Sequence, residues 1–288
     1  MRKKILVTGA DGFVGSHLVA ALRQDDNIVL THSFSDGDIA CGKLDVDQVD
    51  HVFHLAALTF VPQSWREPEE FYRVNVMGTE TVLEFCRRHE SSITYISTYV
   101  YGHPQYLPID EKHPVAPNTP YNHSKYLAEQ LIQFYSAAFS VKATVVRPFN
   151  IYGYGQSAQF LLPEILGQLM DRSKETLDLM SLTPKRDYIY IDDVIDMLIK
   201  TSAPKHEFEI YNVGSGQTVS VYEVAKMAMA ACCIEKEIVS KQRKRQNEVT
   251  DICADIGKAK REFGFAPRVT MMDGLKKIVK LWRANEKN

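Results

Sequence analysis

A glycine-rich turn near the start of the chain constrains the fold more than any other feature. Residues 5–8 form a short apolar and β-branched run, and Gly9, Gly12 and Gly15 follow it directly in the pattern GxxGxxG. A helical pattern of apolar residues then extends over residues 13–22. Strand, tight glycine turn and helix in this order are typical of half a parallel βαβ unit.

The next part of the chain repeats this alternation. Further short apolar runs predict strands at residues 28–30, 52–55, 93–96 and 141–146. Longer helical patterns lie between them, at residues 69–89 and 121–139. Strands that alternate with helices predict an α/β fold with a Rossmann-type, doubly wound parallel sheet.

The alternation of strand and helix patterns becomes irregular after about residue 152. Residues 187–191 and 208–213 are predicted to be strands that return to the sheet, while residues 159–170, 219–232 and 272–282 are mainly helical patterns. We therefore predict a dinucleotide-binding Rossmann domain made of residues 1–152 with 186–214. The remaining residues, 153–185 with 215–288, would form a smaller, discontinuous α/β substrate-binding region.

Composition restricts the class of protein. The 288 residues are 45% hydrophobic and 24% charged with a net charge of −2, which indicates an ordinary soluble protein without a nucleic-acid-binding face. No apolar stretch is long enough for a membrane span, so we expect no membrane association. The five cysteines lack CxxC spacing, so neither a disulfide framework nor a zinc or other metal site is predicted, and a cytoplasmic location is expected.

The glycine turn predicts a phosphate cradle. Gly9, Gly12 and Gly15 allow close backbone approach to a pyrophosphate, and Phe13 and Val14 begin a helix whose free N–H groups attract anions. The alternative is a purely structural turn. The second strand ends at His32, where neither a carboxylate for the ribose hydroxyls nor an arginine for a 2′-phosphate is present. NAD and NADP therefore both remain compatible with the sequence, with NAD preferred.

A tyrosine and a lysine predict acid–base chemistry. Tyr121 and Lys125 stand four residues apart at the start of a predicted helix, so the phenol and the ammonium share one face. A neighbouring ammonium stabilises phenolate, which lets the tyrosine exchange a proton with an alcohol. Ser97, at the carboxyl end of a predicted strand, is the candidate third member that holds the substrate oxygen. The structural alternatives are an exposed lysine beside a half-buried tyrosine and a serine that caps a turn.

Together these motifs resemble the extended short-chain dehydrogenase/reductases of the NAD-dependent epimerase/dehydratase family, whose members mostly modify nucleotide sugars. The resemblance covers nearly the whole chain. It includes five further ordered segments: His54-Leu55-Ala56-Ala57, Asn75 with Gly78-Thr79, Arg147-Pro148-Phe149-Asn150-Ile151-Tyr152-Gly153, Arg186-Asp187-Tyr188 and Tyr211-Asn212-Val213-Gly214.

The resemblance implies roles for several residues. Those on the cofactor side, besides the glycine turn, His32, Tyr121 and Lys125, are Leu55, Ala56, Ala57, Asn75 and Pro148. Those on the substrate side are Ser97, Thr98, Asn150, Arg186 and Arg245, of which the two arginines would bind the sugar diphosphate. The alternatives are a solvated surface charge for Arg245 and a helix-capping residue for Asn75.

Two departures from the family pattern restrict the reaction. Related dehydratases have an acid immediately before Val-Tyr-Gly, whereas this chain has Thr98-Tyr99 before Val100. Without that carboxylate, 4,6-dehydration is disfavoured and oxidation, reduction or 4-epimerisation is left. Residues 41–50 are short where the family usually has a strand and a helix, so we expect an open site at the adenine end of the cofactor.

The sequence therefore predicts an NAD(P)-dependent enzyme acting at C4 of a nucleotide-activated hexose, with 4-epimerase preferred over 4-ketoreductase. A reductase or dehydrogenase of another secondary alcohol or carbonyl is an alternative, because a fold alone does not fix the substrate. A non-catalytic, cofactor-binding regulatory protein is another. We also expect a homodimer, although Leu127, Leu131 and Phe134 of the Tyr121 helix suit either a dimer seam or the sheet.

Overall fold

The computed structural model describes residues 2–42, 44–242 and 249–285. Its strands are β1 (Lys4–Thr8), β2 (Ile28–His32), β3 (His51–His54), β4 (Ser92–Ile96), β5 (Ala143–Pro148), β6 (Asn150–Tyr152), β7 (Thr176–Leu179), β8 (Lys185–Arg186), β9 (Tyr188–Tyr190), β10 (Phe208–Val213), β11 (Val219–Ser220) and β12 (Glu237–Ser240).

Helices connect these strands and flank them. They are α1 (Phe13–Gln24), α2 (Val61–Arg66), α3 (Pro68–Tyr72), α4 (Gly78–His89), α5 (Pro120–Phe139), α6 (Leu161–Met170), α7 (Ile191–Thr201), α8 (Val221–Cys232), α9 (Gly257–Phe263) and α10 (Met271–Asn285). A 3₁₀ turn covers Phe34–Asp36, and a π-helical turn covers Arg73–Met77 between α3 and α4.

The main sheet has six strands in the order β10-β5-β4-β3-β1-β2, and every pair in it is parallel. The chain moves from β1 outward to β2 and then crosses to β3 on the other side of β1. The order of strands thus reverses between β1 and β3, and ligands of such sheets bind outside the carboxyl ends of the strands at this point. The predicted Rossmann-type α/β fold is confirmed.

Two apolar cores cover the faces of this sheet, because successive side chains of a strand point to opposite faces. In β1, Ile5 and Val7 pack into a core shared with α1 and α7, while Leu6 packs into a core shared with α4 and α5. The first core continues into α6, α8 and α10, so it also carries the smaller elements of the fold. Burial on both faces explains why the strands are near-continuous apolar runs.

One of the two returning strands was predicted wrongly. β10 pairs with β5 in the main sheet as expected, but β9 pairs with β6 in a separate two-stranded sheet. The reason is that β6 continues the path of β5 beyond the main sheet, and the Asn150 amide already binds the Asp187 carbonyl at 3.0 Å. β9 therefore pairs with β6 and not with a strand of the main sheet.

β2 is the last strand on its side of the sheet. The described residues between the 3₁₀ turn and β3 contain neither a helix nor a further strand. The strand and helix that the family usually places here are absent, as the short 41–50 segment predicted.

Candidate active site

The glycine turn lies at the switch point and is sterically restricted to glycine. Gly9 has φ +70°, and a Cβ on it would stand 2.7 Å from the amide nitrogen of Ala56. A Cβ on Gly15 would overlap the Gly9 carbonyl oxygen. At the N-terminus of α1, Gly12 is the cap residue and no side chain binds the free N–H groups of the first turn. These groups are available to an anion.

The loop after β3 forms the opposite wall of this turn. Leu55, Ala56 and Ala57 are half-buried at the carboxyl edge of the sheet, where the Leu55 amide binds the Thr8 carbonyl at 3.1 Å. Asn75 is only 1% exposed and holds the loop from behind, because its side chain both accepts from the Leu58 amide and donates to the Leu58 carbonyl. Asn75 therefore shapes the predicted cofactor loop from beneath its surface.

His32 lies at the end of β2 beside a cavity of about 160 Å³. Asp36, Asp38 and Cys41 also line this cavity. The sequence predicts that the adenine end of the cofactor lies at this end of β2. The His32 Nε2 atom is buried and has no hydrogen-bond partner among the described residues, which is unusual for a buried polar atom.

Tyr121 and Lys125 lie on one face of the first turns of α5. The helix starts here because the Thr119 hydroxyl caps the Asn122 amide and Pro120 occupies the first helical position. Tyr121 is half-buried, and the side chain of Thr98 acts on its phenol to lower the pKa. The Lys125 ammonium is buried, 4.1 Å from the centroid of the Tyr95 ring.

Burial changes the charge balance of this pair. It lowers the pKa of Lys125 to about 7, an effect that the negative charge of Glu129 opposes. It also raises the pKa of Tyr121 to about 12, while the hydrogen bond from Thr98 acts in the other direction. A positive charge close to the phenol is therefore required before Tyr121 can act as a base near neutral pH.

Ser97, the predicted partner of the substrate oxygen, lies at the end of β4 against α5. Its hydroxyl donates a short hydrogen bond to the buried Glu129 carboxylate on α5, whereas the adjacent Thr98 contacts Tyr121. Glu129 also forms a bidentate ion pair with Arg147, which donates from Nε at 3.0 Å and from Nη2 at 2.5 Å. The hydroxyl next to the Tyr121 phenol thus belongs to Thr98.

Pro148, predicted on the cofactor side, and the remaining predicted substrate residues come next along the chain. Pro148 is buried at the end of β5, and Asn150 donates from Nδ2 to the Asp187 carbonyl at 3.1 Å. Arg186 is half-buried, bonds the Lys185 carbonyl, and has no carboxylate partner within the described part of the chain. Arg245 lies outside the described residues.

Sequence reasoning missed Glu129. Its signal was present, because Tyr121, Lys125 and Glu129 follow one another at intervals of four and therefore share one helix face. A glutamate in a helix is usually exposed, whereas this one is 2% exposed.

Comparison with known proteins identifies the family of the chain. The family model for the NAD dependent epimerase/dehydratase family matches residues 5–214, which include the glycine turn and the Tyr121 helix. The chain belongs to this family. It is therefore an enzyme of the extended short-chain dehydrogenase/reductase type, as the sequence predicted.

Individual relatives of the family match over almost their whole length. A putative UDP-glucose 4-epimerase of Methanocaldococcus jannaschii is 30% identical, covering 98% of this chain and 99% of the relative. Two solved structures each cover 98% of this chain and 99% of their own. UDP-glucose 4-epimerase of Thermotoga maritima with UDP-glucose has a TM-score of 0.92 at 25% identity, and RMD of Pseudomonas aeruginosa with NADPH has 0.90 at 27%.

The residues present fit a dinucleotide. The cradle between Gly9, Gly15 and the Ala56 loop exists only because the glycines lack a Cβ, and His32 lines the cavity at the end of β2. No group of three or more metal-ligating side chains occurs within residues 2–42, 44–242 and 249–285. Over the same ranges, no helix combines the length and apolar character that a membrane crossing requires.

Proposed function

We propose that this enzyme uses NAD to epimerise C4 of a nucleotide-activated hexose. The observation that carries the proposal is the placement of Tyr121 and the buried Lys125 on one face of α5, at the sheet edge that holds the glycine cradle. This arrangement suits the transfer of one proton to and from a secondary alcohol. The relatives named above as UDP-glucose 4-epimerases support the choice of substrate.

In the proposed mechanism Tyr121 takes the proton of the C4 hydroxyl as the C4–H bond breaks and a 4-ketone forms. A bound nicotinamide would supply the hydride acceptor, and later the donor. Thr98 donates a hydrogen bond that holds the substrate oxygen and the phenol in line, and the Lys125 ammonium stabilises the phenolate. Tyr121 then returns its proton to the oxygen after the ketone has presented its opposite face.

Dehydration is disfavoured by the residue that stands before Val100. Tyr99 is half-buried with its ring 5.5 Å from that of Phe149, and its phenol replaces the carboxylic acid of the dehydratases. A phenol of ordinary pKa near 10 is a weaker proton donor to a leaving hydroxyl than a carboxylic acid. We therefore expect no loss of water from C5 and C6.

A 4-ketoreductase is the second candidate. A GDP-6-deoxy-D-mannose reductase of Pseudomonas aeruginosa is 28% identical over 99% of this chain, and the structure of RMD with NADPH is similar throughout. The same Tyr121 would then donate its proton to the oxygen of a stable ketone. The two reactions differ in whether the coenzyme is regenerated in each cycle.

Incubation with UDP-, GDP- and dTDP-hexoses and their 4-keto forms tests the proposal, with Tyr121→Phe as the inactive control. Interconversion of C4 epimers with NAD in catalytic amount supports the epimerase. Stoichiometric NADPH consumption with a 4-keto sugar indicates the reductase instead. Formation of a 4-keto-6-deoxy sugar, or no conversion of any compound, would overturn both.

Preference for NAD is supported by the charges around the His32 cavity. Asp36 and Asp38 line it, and the nearby Arg73 guanidinium is already bound to Asp38 at 2.7 Å and to Glu70 at 2.8 Å. The Ala40 amide and Arg73 lower the pKa of Asp38, so its carboxylate is ionised at neutral pH. A 2′-phosphate placed here would meet negative charge without a free cation among the described residues that line the cavity.

We expect NAD to bind at least about tenfold more tightly than NADP, which corresponds to about 1.4 kcal/mol. Calorimetric titration of both nucleotides measures the ratio. Asp38→Asn should reduce the ratio of NAD affinity to NADP affinity, because it releases Arg73. Asp171 is an exposed aspartate on the loop after α6, and Asp171→Asn should leave the ratio unchanged. Tighter binding of NADP to the unsubstituted protein would contradict the preference.

On the substrate side, Arg186 is the proposed partner of the sugar diphosphate. Its guanidinium is half-buried and has no acidic partner in the described ranges, and such a group suits bidentate binding of phosphate. Asn150 would bind the substrate at the same diphosphate group. The matching proposal for Arg245 rests on the family resemblance alone.

A homodimer through α4 and α5 is proposed from the exposed side of α5. Phe134 is 58% exposed and Phe139 is 46% exposed, with ring centroids 5.9 Å apart, whereas Leu131 packs against the sheet core. Such a patch favours burial against a second copy. Sedimentation of the unsubstituted protein should give a dimer, and Phe134→Lys should give a monomer. Tyr222 is an exposed aromatic residue on α8, and Tyr222→Lys should remain a dimer.

A further inference from the structure

The buried Glu129 carboxylate joins the catalytic helix to the sheet. It lies one turn beyond Lys125 on α5 and accepts hydrogen bonds from Ser97, which follows β4, and from Arg147 in β5. Arg147 in turn donates from Nη1 to the Tyr101 hydroxyl at 2.9 Å, and that hydroxyl donates to Asn212 of β10 at 2.6 Å. One carboxylate thus fixes α5 against three neighbouring strand ends.

The negative charge of the same carboxylate, one helical turn from Lys125, opposes the effect of burial on the pKa of that lysine. The groups that face this surface of α5 are His54 on β3, Tyr95 on β4 and Arg147 on β5. His54 is neutral, because burial lowers its pKa to about 3. Without Glu129, two buried cations would therefore share the site with no opposite charge, and the lysine is the one that gives up its proton.

We propose that Glu129 is a positioning residue of the active site, whose carboxylate aligns the Tyr121–Lys125 face with Thr98 and keeps the Lys125 ammonium charged. The alignment follows from sequence order, since Ser97 binds Glu129 and the next residue, Thr98, acts on the Tyr121 phenol. The role in turnover rests on the proposed function, but the effect on Lys125 does not.

The first measurement is the titration of Lys125 itself, by NMR of protein labelled at lysine Cε, with and without NAD. The resonance of Lys125 is the one that is missing from the spectrum of Lys125→Arg. Without NAD the wild-type midpoint is expected near 7. Glu129→Gln, which keeps the shape and removes the charge, should lower the midpoint by at least about one pH unit. Glu129→Asp, which keeps the charge but shortens the reach, should leave it within about half a unit.

The second measurement is the pH profile of kcat. Activity requires the ammonium, so it declines as pH rises through the pKa of Lys125, and this decline should begin at lower pH in Glu129→Gln. At pH 7.5 we expect kcat to fall by about tenfold or more with a smaller change in KM. Glu129→Asp should lower kcat without moving the decline.

Asp193→Asn is the matched control. Asp193 is also a carboxylate only 1% exposed, but it accepts from the Arg268 and Val269 amides away from the site. Both the titration and the pH profile should be unchanged in it. An unaltered Lys125 midpoint in Glu129→Gln would overturn the proposal. A shifted midpoint in a protein that converts no nucleotide sugar would support it and would reject the proposed substrate instead.

Discussion

Neighbouring hydroxyl residues after β4 have different partners. Ser97 binds Glu129, and Thr98 acts on Tyr121, which lies about two turns earlier on the same face of α5. The sequence predicted that a hydroxyl would stand at this strand end and did not reveal which one faces the pocket. That choice depends on the position of α5 above the strand, which no local pattern records.

At this scale we predict that Thr98→Ala lowers kcat more than Ser97→Ala does. Loss of a hydrogen bond to the reacting oxygen or phenol should reduce kcat by about 10²-fold, whereas Ser97→Ala removes only one of the bonds to Glu129. Steady-state kinetics of both variants measure the difference. Thr98→Ser, which keeps the hydroxyl, should recover most of the activity. Equal losses in the two alanine variants would restore Ser97 to the predicted role.

At the scale of elements, periodicity located the strands and helices but not their interruptions. Residues 69–89 were predicted as one helix, and the structure divides them into α3, a π-helical turn and α4. The π turn carries Asn75 inward to the Leu58 loop, and such turns are frequent at functional sites. A single additional residue in a turn leaves the apolar pattern almost unchanged, so the sequence gives no signal for it.

The start of α1 provides the prediction for an element. Gly15→Ala forces a Cβ onto the Gly9 carbonyl, so the turn must shift away from the helix, and NAD affinity should fall by about 10²-fold or more. Gly167→Ala is the matched control, because a Cβ there meets nothing within 4 Å inside α6. It should leave NAD affinity intact and stabilise the protein by up to about 1 kcal/mol.

Calorimetric NAD titration and urea unfolding of both variants make the comparison. Gly15→Ala that binds NAD as tightly as the wild type would show that the glycine turn has a structural role only.

For the whole molecule, two buried histidines in the central strand β3 connect stability to pH. His51 bonds Ser92 and Thr94 at 2.8 and 3.0 Å, and His54 bonds Thr8 and Thr79 at 2.7 and 3.0 Å. Burial lowers the pKa of each ring to about 3 from 6.5. Below pH 6.5 the unfolded chain therefore binds protons that the folded chain does not, and acid favours unfolding.

We predict that the free energy of unfolding declines from pH 6.5 toward pH 3 by up to about 1.4 kcal/mol per unit for each of the two rings. Urea unfolding at a series of pH values measures the slope. His51→Gln and His54→Gln should each reduce it, and exposed His103→Gln should not. A slope unaffected by either buried substitution would assign the acid sensitivity to other groups.

For the whole molecule, the parallel sheet was predictable from the sequence, but the pairing of the short strands outside that sheet was less so. Continuous apolar runs such as residues 5–8 and 141–146 predicted a buried parallel sheet, because only strands covered on both faces have that pattern. β9 was assigned to the wrong sheet because short apolar strands pair equally well with any available edge. The candidate site was found wherever one motif brings its residues together, as in the glycine turn and Tyr121 with Lys125.

The absence of regular structure beyond β2 has an evolutionary consequence. Between β2 and β3, Ile39, Leu44 and Val49 pack into an apolar core, whereas Asp36, Asp38 and Cys41 line the cavity, so replacement of these three leaves folding largely intact. Under the proposed coenzyme binding, selectivity then depends on a few replaceable residues: descendants of this enzyme could exchange one dinucleotide for the other at these positions, while the proton-handling machinery stays untouched.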